Sequence, residues 1–83
     1  MINLEERSFV AQTLQAFLDG TSGPWDFDDL VHDKYSDDLA AAAVKAADNM
    51  PLEHPSDQTN EFCSLVGLQK IQQLVDELQA SMR

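Results

Sequence analysis

Hydrophobic side chains recur every three to four residues in three stretches of the chain, which is the spacing of one face of an α-helix. In the first stretch these positions are Val10, Leu14, Phe17 and Leu18, with Phe9 and Ala11 widening the stripe. Asn3 precedes the stripe and can cap a helix, and Gly20 follows it, where glycine commonly ends a helix. We therefore predict a first helix over residues 4–19.

The second stretch is rich in alanine, which favours helix strongly. Ser36 precedes it as a good N-cap residue, and Pro51 is expected to stop the helix. The small residues on its inner face allow a second helix to approach closely. That face consists of Leu39, Ala43, Ala46, Ala47 and Met50.

The third stretch carries apolar residues at spacings of three, four, three and four. They are Leu68, Ile71, Val75, Leu78 and Met82. A seam this short does not distinguish a coiled coil from an ordinary core stripe. Ser64 or Asn60 can cap this helix. Gly67, near its start, costs about 1 kcal/mol against alanine, a loss that a close helix contact would explain.

Two irregular segments separate these helices. Residues 20–25 read as a turn because they contain two glycines and a proline, and Asp26 can cap a short helix after it. We place Trp25, at the end of the turn, in the core. Residues 51–60 form a polar loop, and its ends are expected to be held by the inward packing of Leu52 and Phe62.

No segment alternates polar and apolar residues over a useful length, so strands are not predicted. The chain has 83 residues, enough for one core. We therefore predict an all-α fold, a small bundle of three main helices plus one short helix, forming a single helical domain over residues 1–83.

Charge narrows the classes of partner. Fifteen acids face five bases, for a formal net charge of −10. This sign disfavours direct binding to nucleic acid, whose phosphates are held by replacing counterions with basic side chains, and it disfavours anionic membranes. Solubility alone could also explain the acidity.

The cysteine content and the distribution of apolar residues favour a cytoplasmic protein. Cys63 is the only cysteine, so no internal disulfide can form, and a reducing compartment fits best. No apolar run approaches the roughly 20 residues that span a bilayer. The first residues lack the basic and apolar regions of a signal peptide.

The densest charge lies between Asp19 and Asp38, where seven aspartates surround the tryptophan turn and only Lys34 offsets them. Such a block is typical of a surface aimed at a positively charged partner. We predict a partner-binding site with Tyr35 as an aromatic anchor. Its residues are Asp26, Asp28, Asp29, Asp33, Tyr35, Asp37 and Asp38.

Catalytic and metal chemistry find little support. The aspartates after Trp25 begin like a calcium loop, but Leu30 and Val31 stand where that loop needs an oxygen ligand and a glycine. The two histidines and Cys63 lack the close pairing of zinc ligands. Cys63 lies near Phe62 and Leu65 in the sequence, and a lone cysteine in such surroundings is typical of a small core residue rather than a nucleophile. We predict no enzyme activity, no metal and no cofactor.

The segment from Phe17 to Leu30, Phe-Leu-Asp-Gly-Thr-Ser-Gly-Pro-Trp-Asp-Phe-Asp-Asp-Leu, resembles one in small uncharacterised bacterial proteins. In those proteins a helix ends in a Gly-Thr-Gly-Gly-type turn and continues Trp-Asp-Trp-Asp-Asp-Phe. Phe27, Leu30 and Ser22 differ from that pattern. Phe-Cys-Ser at 62–64 and the Leu-rich closing helix are also similar. The resemblance implies a bacterial, cytoplasmic, helical protein.

Size and charge, without any shared motif, also resemble those of immunity proteins that neutralise bacterial toxins. Our leading hypothesis is therefore an immunity-type inhibitor of a basic, nuclease-like toxin. A phage- or plasmid-encoded nucleic-acid mimic that inhibits a host DNA-binding protein is an alternative, and it would instead spread its acids over a wide surface. A structural or regulatory homodimer would join through the closing helix, and the exposure of that helix's apolar seam distinguishes it.

Overall fold

The computed structural model describes residues 2–21, 23, 25–56 and 62–82. Within these ranges the backbone forms four α-helices and no strand. They are α1 (Leu4–Asp19), α2 (Asp26–His32), α3 (Asp38–Glu53) and α4 (Leu65–Ser81). The predicted all-α fold of three main helices and one short helix is confirmed.

The ends of α1 follow the predicted capping chemistry. The Asn3 side chain accepts a hydrogen bond from the Glu6 N–H at 3.1 Å, which satisfies one of the free donors of the first turn. Gly20 has a φ of 75°, in the left-handed region that glycine adopts without strain. The Thr21 N–H then closes the helix by donating to the Ala16 carbonyl at 2.9 Å.

Both ends of α3 differ from prediction. Asp37, not Ser36, is the N-cap, because its carboxylate accepts from the Ala40 N–H at 2.8 Å. Pro51 does not stop the helix, which continues to Glu53. A proline in the last turn removes only one backbone hydrogen-bond donor from the helix. Beyond Pro51, the His54 N–H donates to the Met50 carbonyl at 2.7 Å.

The start of α4 is tied to the end of α3. Ser64 is the N-cap, as one of the two predicted alternatives, and its N–H donates to the His54 carbonyl at 2.8 Å. Asn60 lies outside the described residues. A methyl group on Gly67 would lie 2.8 Å from the Cys63 Sγ and 3.1 Å from the His54 Cβ. Close packing does explain this glycine, but the contact is with the two segments flanking the 57–61 connection rather than with a helix face.

One cluster of buried apolar residues joins all four helices. On α4, Ile71, Val75 and Leu78 are buried in this cluster. Leu68 is half-buried and packs against its edge, and Met82 is also half-buried. The seam considered for a homodimer is therefore largely filled by the chain's own core. A second copy would have to use another surface.

A triad of aromatic rings fixes the position of α2. The ring centroids of Phe17, Phe27 and Phe62 lie 4.9 to 5.0 Å apart, in tilted and edge-to-face arrangements. Phe62 packs inward as predicted, but Leu52 is 82% exposed, so that half of the prediction is wrong. Through Phe27 and the buried Leu30, α2 lies against α1 with its acidic residues facing outward.

Candidate protein-binding face

The acidic block divides into exposed and buried members. Five of the predicted site residues have exposed carboxylates: Asp26, Asp28, Asp29, Asp33 and Asp38. Tyr35 is half-buried and Asp37 is fully buried. The predicted site is therefore not one continuous surface, and helix geometry determines which of its residues lie together.

Asp26 and Asp29 lie on the same flank of α2, since residues three apart are neighbours on a helix. With Phe9 and Thr13 of α1 they line a hollow of about 250 Å³. Asp28 projects roughly 100° away from Asp29 around the helix and does not line it. The hollow thus presents two carboxylates, a hydroxyl and an aromatic ring.

A second hollow, of about 330 Å³, lies beyond Phe9. Its lining includes Phe9, Glu5, Asp33, Lys34 and Tyr35. Because Phe9 borders both hollows, the two form a continuous surface along α1 and the edge of α2. We call this surface the Phe9 face and define it by Glu5, Phe9, Asp26, Asp29, Asp33 and Tyr35.

Phe9 is 46% exposed, although the sequence pattern placed it in the buried stripe of α1. It lies about 100° around the helix from Val10, which is completely buried, so its ring lies at the margin of the core. Its place beside Val10 in the helical pattern could have indicated this, but the neighbouring acids of α2 are visible only in the fold.

Asp28 and Asp38 lie off the Phe9 face, because neither lines one of its hollows. Asp28 is one turn from His32, whose Nδ1 donates to the Asp28 carbonyl oxygen at 2.8 Å. Asp38 lies in the first turn of α3, where a negative charge favours the helix dipole.

Asp37 cannot contact a partner, which corrects its assignment to the site. Its carboxylate is 0% exposed and accepts from both the Arg7 Nε, at 2.9 Å to each oxygen, and the Asn3 N–H at 2.8 Å. The same carboxylate caps α3 through Ala40. The Arg7 guanidinium holds the pKa of Asp37 well below its ordinary value, with the Asn3 and Ala40 N–H groups adding to the effect.

Glu6 makes the reciprocal connection between α1 and α3. Its carboxylate accepts from the Asp37 N–H at 2.8 Å and from the Ser36 N–H at 2.9 Å. The bond from the Asp37 N–H is the main cause that lowers the pKa of Glu6. We call these five residues, Asn3, Glu6, Arg7, Ser36 and Asp37, the helix lock.

Tyr35 is anchored rather than free. Its hydroxyl donates to the Leu30 carbonyl at 2.7 Å, and its ring packs against the core. Burial is the main cause that raises the pKa of Tyr35 to about 12, with the charges of Asp33 and Glu6 adding to it. Tyr35 therefore contributes a fixed aromatic wall to the Phe9 face.

The exposed carboxylates of the face make no ion pair with any basic side chain among the described residues. Across the part of the chain that the structure describes, Arg7–Asp37 is the one ion pair within 4.0 Å. Lys34 borders the larger hollow without pairing there. The face thus keeps its negative charge.

Trp25 is 70% exposed, so its predicted place in the core is wrong. It occupies the N-cap position of α2, with a φ of −109°. Phe17, Phe27 and Phe62 fill the space between α1, α2 and the start of α4 instead.

The described residues contain no group of three or more His, Cys, Asp or Glu side chains arranged to hold a metal ion. Nor does any described helix have both the length and the apolar character needed to cross a bilayer. Comparison of the chain with protein-family models, curated proteins and solved structures gave no match in any of the three.

Proposed function

We propose that the chain is an acidic binding protein that blocks a basic protein with its Phe9 face, as an immunity-type inhibitor of a nuclease-like toxin in the bacterial cytoplasm. One observation carries the proposal. Phe9 is nearly half exposed between two hollows whose rims carry Glu5, Asp26, Asp29 and Asp33.

This arrangement has the general form of a protein interface. Binding energy in such interfaces concentrates in a few central, often aromatic side chains, while surrounding polar residues exclude water and set specificity. Phe9 supplies the centre and the carboxylates supply the rim. A basic partner matches that rim in charge.

A nuclease fits as the partner because it must be basic where it holds phosphates. Carboxylates placed there would compete with the nucleic acid for the same side chains. The net charge of −10 would also speed capture by electrostatic steering, which benefits an inhibitor of a damaging enzyme.

The central aromatic favours an inhibitor of this kind over a nucleic-acid mimic. A mimic needs carboxylates at phosphate-like spacing, and an exposed phenylalanine among them adds nothing to that mimicry. A non-catalytic role agrees with the site, whose groups are carboxylates on open hollows, with Cys63 buried elsewhere in the core.

The test is inhibition of a defined nuclease. Any basic protein encoded beside this gene in the host genome would be purified, and its cleavage of DNA and RNA measured with increasing amounts of this chain. We expect cleavage to stop near one equivalent. Unchanged cleavage at large excess, or the absence of any nuclease among partners that co-purify with the chain, would contradict the proposal.

The Phe9 face is tested by replacing its centre. Phe9→Ser should abolish inhibition while leaving the helical circular dichroism spectrum intact. Leu65→Ser is the matched control, because Leu65 is also an exposed apolar residue, 69% exposed, at the start of α4. Equal loss of inhibition in both variants would place the binding surface elsewhere.

A further inference from the structure

The smaller hollow of the Phe9 face has a composition that selects one kind of side chain. Its lining residues are Phe9 and Thr13 from α1 and Asp26 and Asp29 from α2. Among the described residues no basic side chain lines it, whereas Lys34 borders the larger hollow. A cation from outside therefore meets two carboxylates in the smaller hollow without a described basic side chain beside them.

Both carboxylates belong to the first turn of α2. Asp26 accepts a hydrogen bond from the Gly23 N–H at 2.8 Å through one oxygen, and its other oxygen makes no hydrogen bond with the described residues. Asp29 has no side-chain hydrogen bond or ion pair in the same ranges. Like charges one helical turn apart repel each other, and a cation between them would remove that repulsion.

The aromatic wall distinguishes between the two basic side chains. A guanidinium is planar, is weakly hydrated, stacks on aromatic rings and can bond two carboxylate oxygens at once. A lysine ammonium is a compact, strongly hydrated charge that uses neither the ring nor the second carboxylate as well. The combination of Phe9 with two carboxylates therefore favours arginine.

We propose that this hollow receives an arginine side chain of the partner, with the guanidinium between Asp26 and Asp29 and against the Phe9 ring. The inference rests on the proposed function, since it names the group by which the basic partner is recognised. Thr13 supplies a hydroxyl at the hollow's wall that can accept a further guanidinium hydrogen bond.

The experiment uses small probes rather than the partner. N-acetyl-arginine amide is titrated into the isotopically labelled full chain at low salt, and backbone amide shifts are followed by NMR. N-acetyl-citrulline amide has almost the same shape without charge, and N-acetyl-lysine amide has charge without the planar group. We expect saturable shifts at Thr13, Asp26 and Asp29 with arginine, weaker ones with lysine and none with citrulline.

Charge-matched variants complete the test. Asp26→Asn with Asp29→Asn should weaken arginine binding about fivefold, as expected for the loss of two exposed charge pairs. Asp76→Asn with Glu77→Gln on α4 makes the same change in net charge and should leave binding unchanged.

Three results would overturn the inference: no saturable arginine binding, equal shifts with citrulline, or equal weakening by both pairs of substitutions. These three results are independent of the inhibition assay. If the chain inhibits a nuclease through Phe9 but does not bind the arginine probe, the proposed function is supported and the arginine site is contradicted. If the probe binds and no nuclease is inhibited, the arginine site is supported and the proposed function is contradicted.

Discussion

The carboxylate of Asp37 bonds to groups of both α1 and α3. It accepts from the Asn3 N–H and the Arg7 side chain on one side and from the Ala40 N–H on the other. Buried acids are uncommon unless they are paired and hydrogen-bonded, and Asp37 meets both conditions. Its role is to fix the angle between two helices.

Removing the charge of Asp37 should therefore destabilise the fold. Asp37→Asn leaves the Arg7 guanidinium without its counter-charge, and we expect the melting temperature to fall by roughly 10 °C or more. Asp38→Asn, at the next and exposed position, should change it by about 3 °C at most. Equal effects in thermal denaturation would contradict the helix lock.

The lock also predicts loss of stability in acid. The pKa values of Asp37 and Glu6 are lowered from ordinary values of 3.8 and 4.5, so the unfolded chain binds protons first as the pH falls. Their contribution is present above about pH 5 and declines below about pH 4. Protonating surface acids relieves repulsion and acts in the opposite direction, so the comparison with a variant is needed.

The measurement is the melting temperature from about pH 6 to about pH 3, for the wild type and for Asp37→Asn. The wild type should lose more stability over this interval, because the variant no longer has the Asp37 proton linkage. Parallel curves would show that the Asp37 carboxylate contributes nothing to acid sensitivity.

At the scale of elements, α2 is a seven-residue helix whose place depends on tertiary contact. Phe27 supplies that contact in the aromatic triad, while Trp25, at the start of the same helix, is exposed. Phe27→Ala should cost about 2 kcal/mol or more in unfolding free energy, and Trp25→Ala about 0.5 kcal/mol at most. Chemical denaturation measures both, and a larger loss from Trp25→Ala would reverse our placement of the two rings.

Gly67 sets the contact between α4 and the end of α3. Alanine there gains about 1 kcal/mol of helix propensity, but its methyl would collide with the buried Cys63 Sγ, and overpacking typically costs about 1–3 kcal/mol. We expect Gly67→Ala to lower the unfolding free energy by about 1 kcal/mol. Adding Cys63→Ala should recover part of that loss. If Gly67→Ala alone stabilises the protein, the Cys63 side chain can move away from the added methyl group at little cost.

Local capping signals predicted α1 well, because Asn3 and Gly20 act within their own turns. The predictions from sequence were wrong at positions whose structure depends on tertiary contacts. Asp37 replaced Ser36 as the N-cap because Arg7 and Asn3 come to it from α1, thirty or more residues away along the chain. The sequence predicts Trp25 in the core, yet it is exposed, and Phe17, Phe27 and Phe62 pack together between the helices instead.

At the scale of the whole molecule, the fold places the aspartates of one acidic stretch of sequence in different environments. Composition predicted an acidic surface and favoured a basic partner. It could not predict that Asp37 faces inward, that Asp28 and Asp38 lie off the Phe9 face, or that Phe9 lies beside Asp26 and Asp29. Those placements depend on how α1, α2 and α3 pack.

Once a basic nuclease inhibited by the chain has been purified, the most direct test is its dissociation constant for the wild type and two double variants, at about 0.1 M salt. Asp26→Asn with Asp29→Asn changes the Phe9 face, whereas Asp28→Asn with Asp38→Asn makes the same charge change elsewhere in the acidic run. We predict that the first pair weakens binding about tenfold and the second about twofold at most. Equal weakening by the two pairs would show that overall acidity, rather than the Phe9 face, holds the partner.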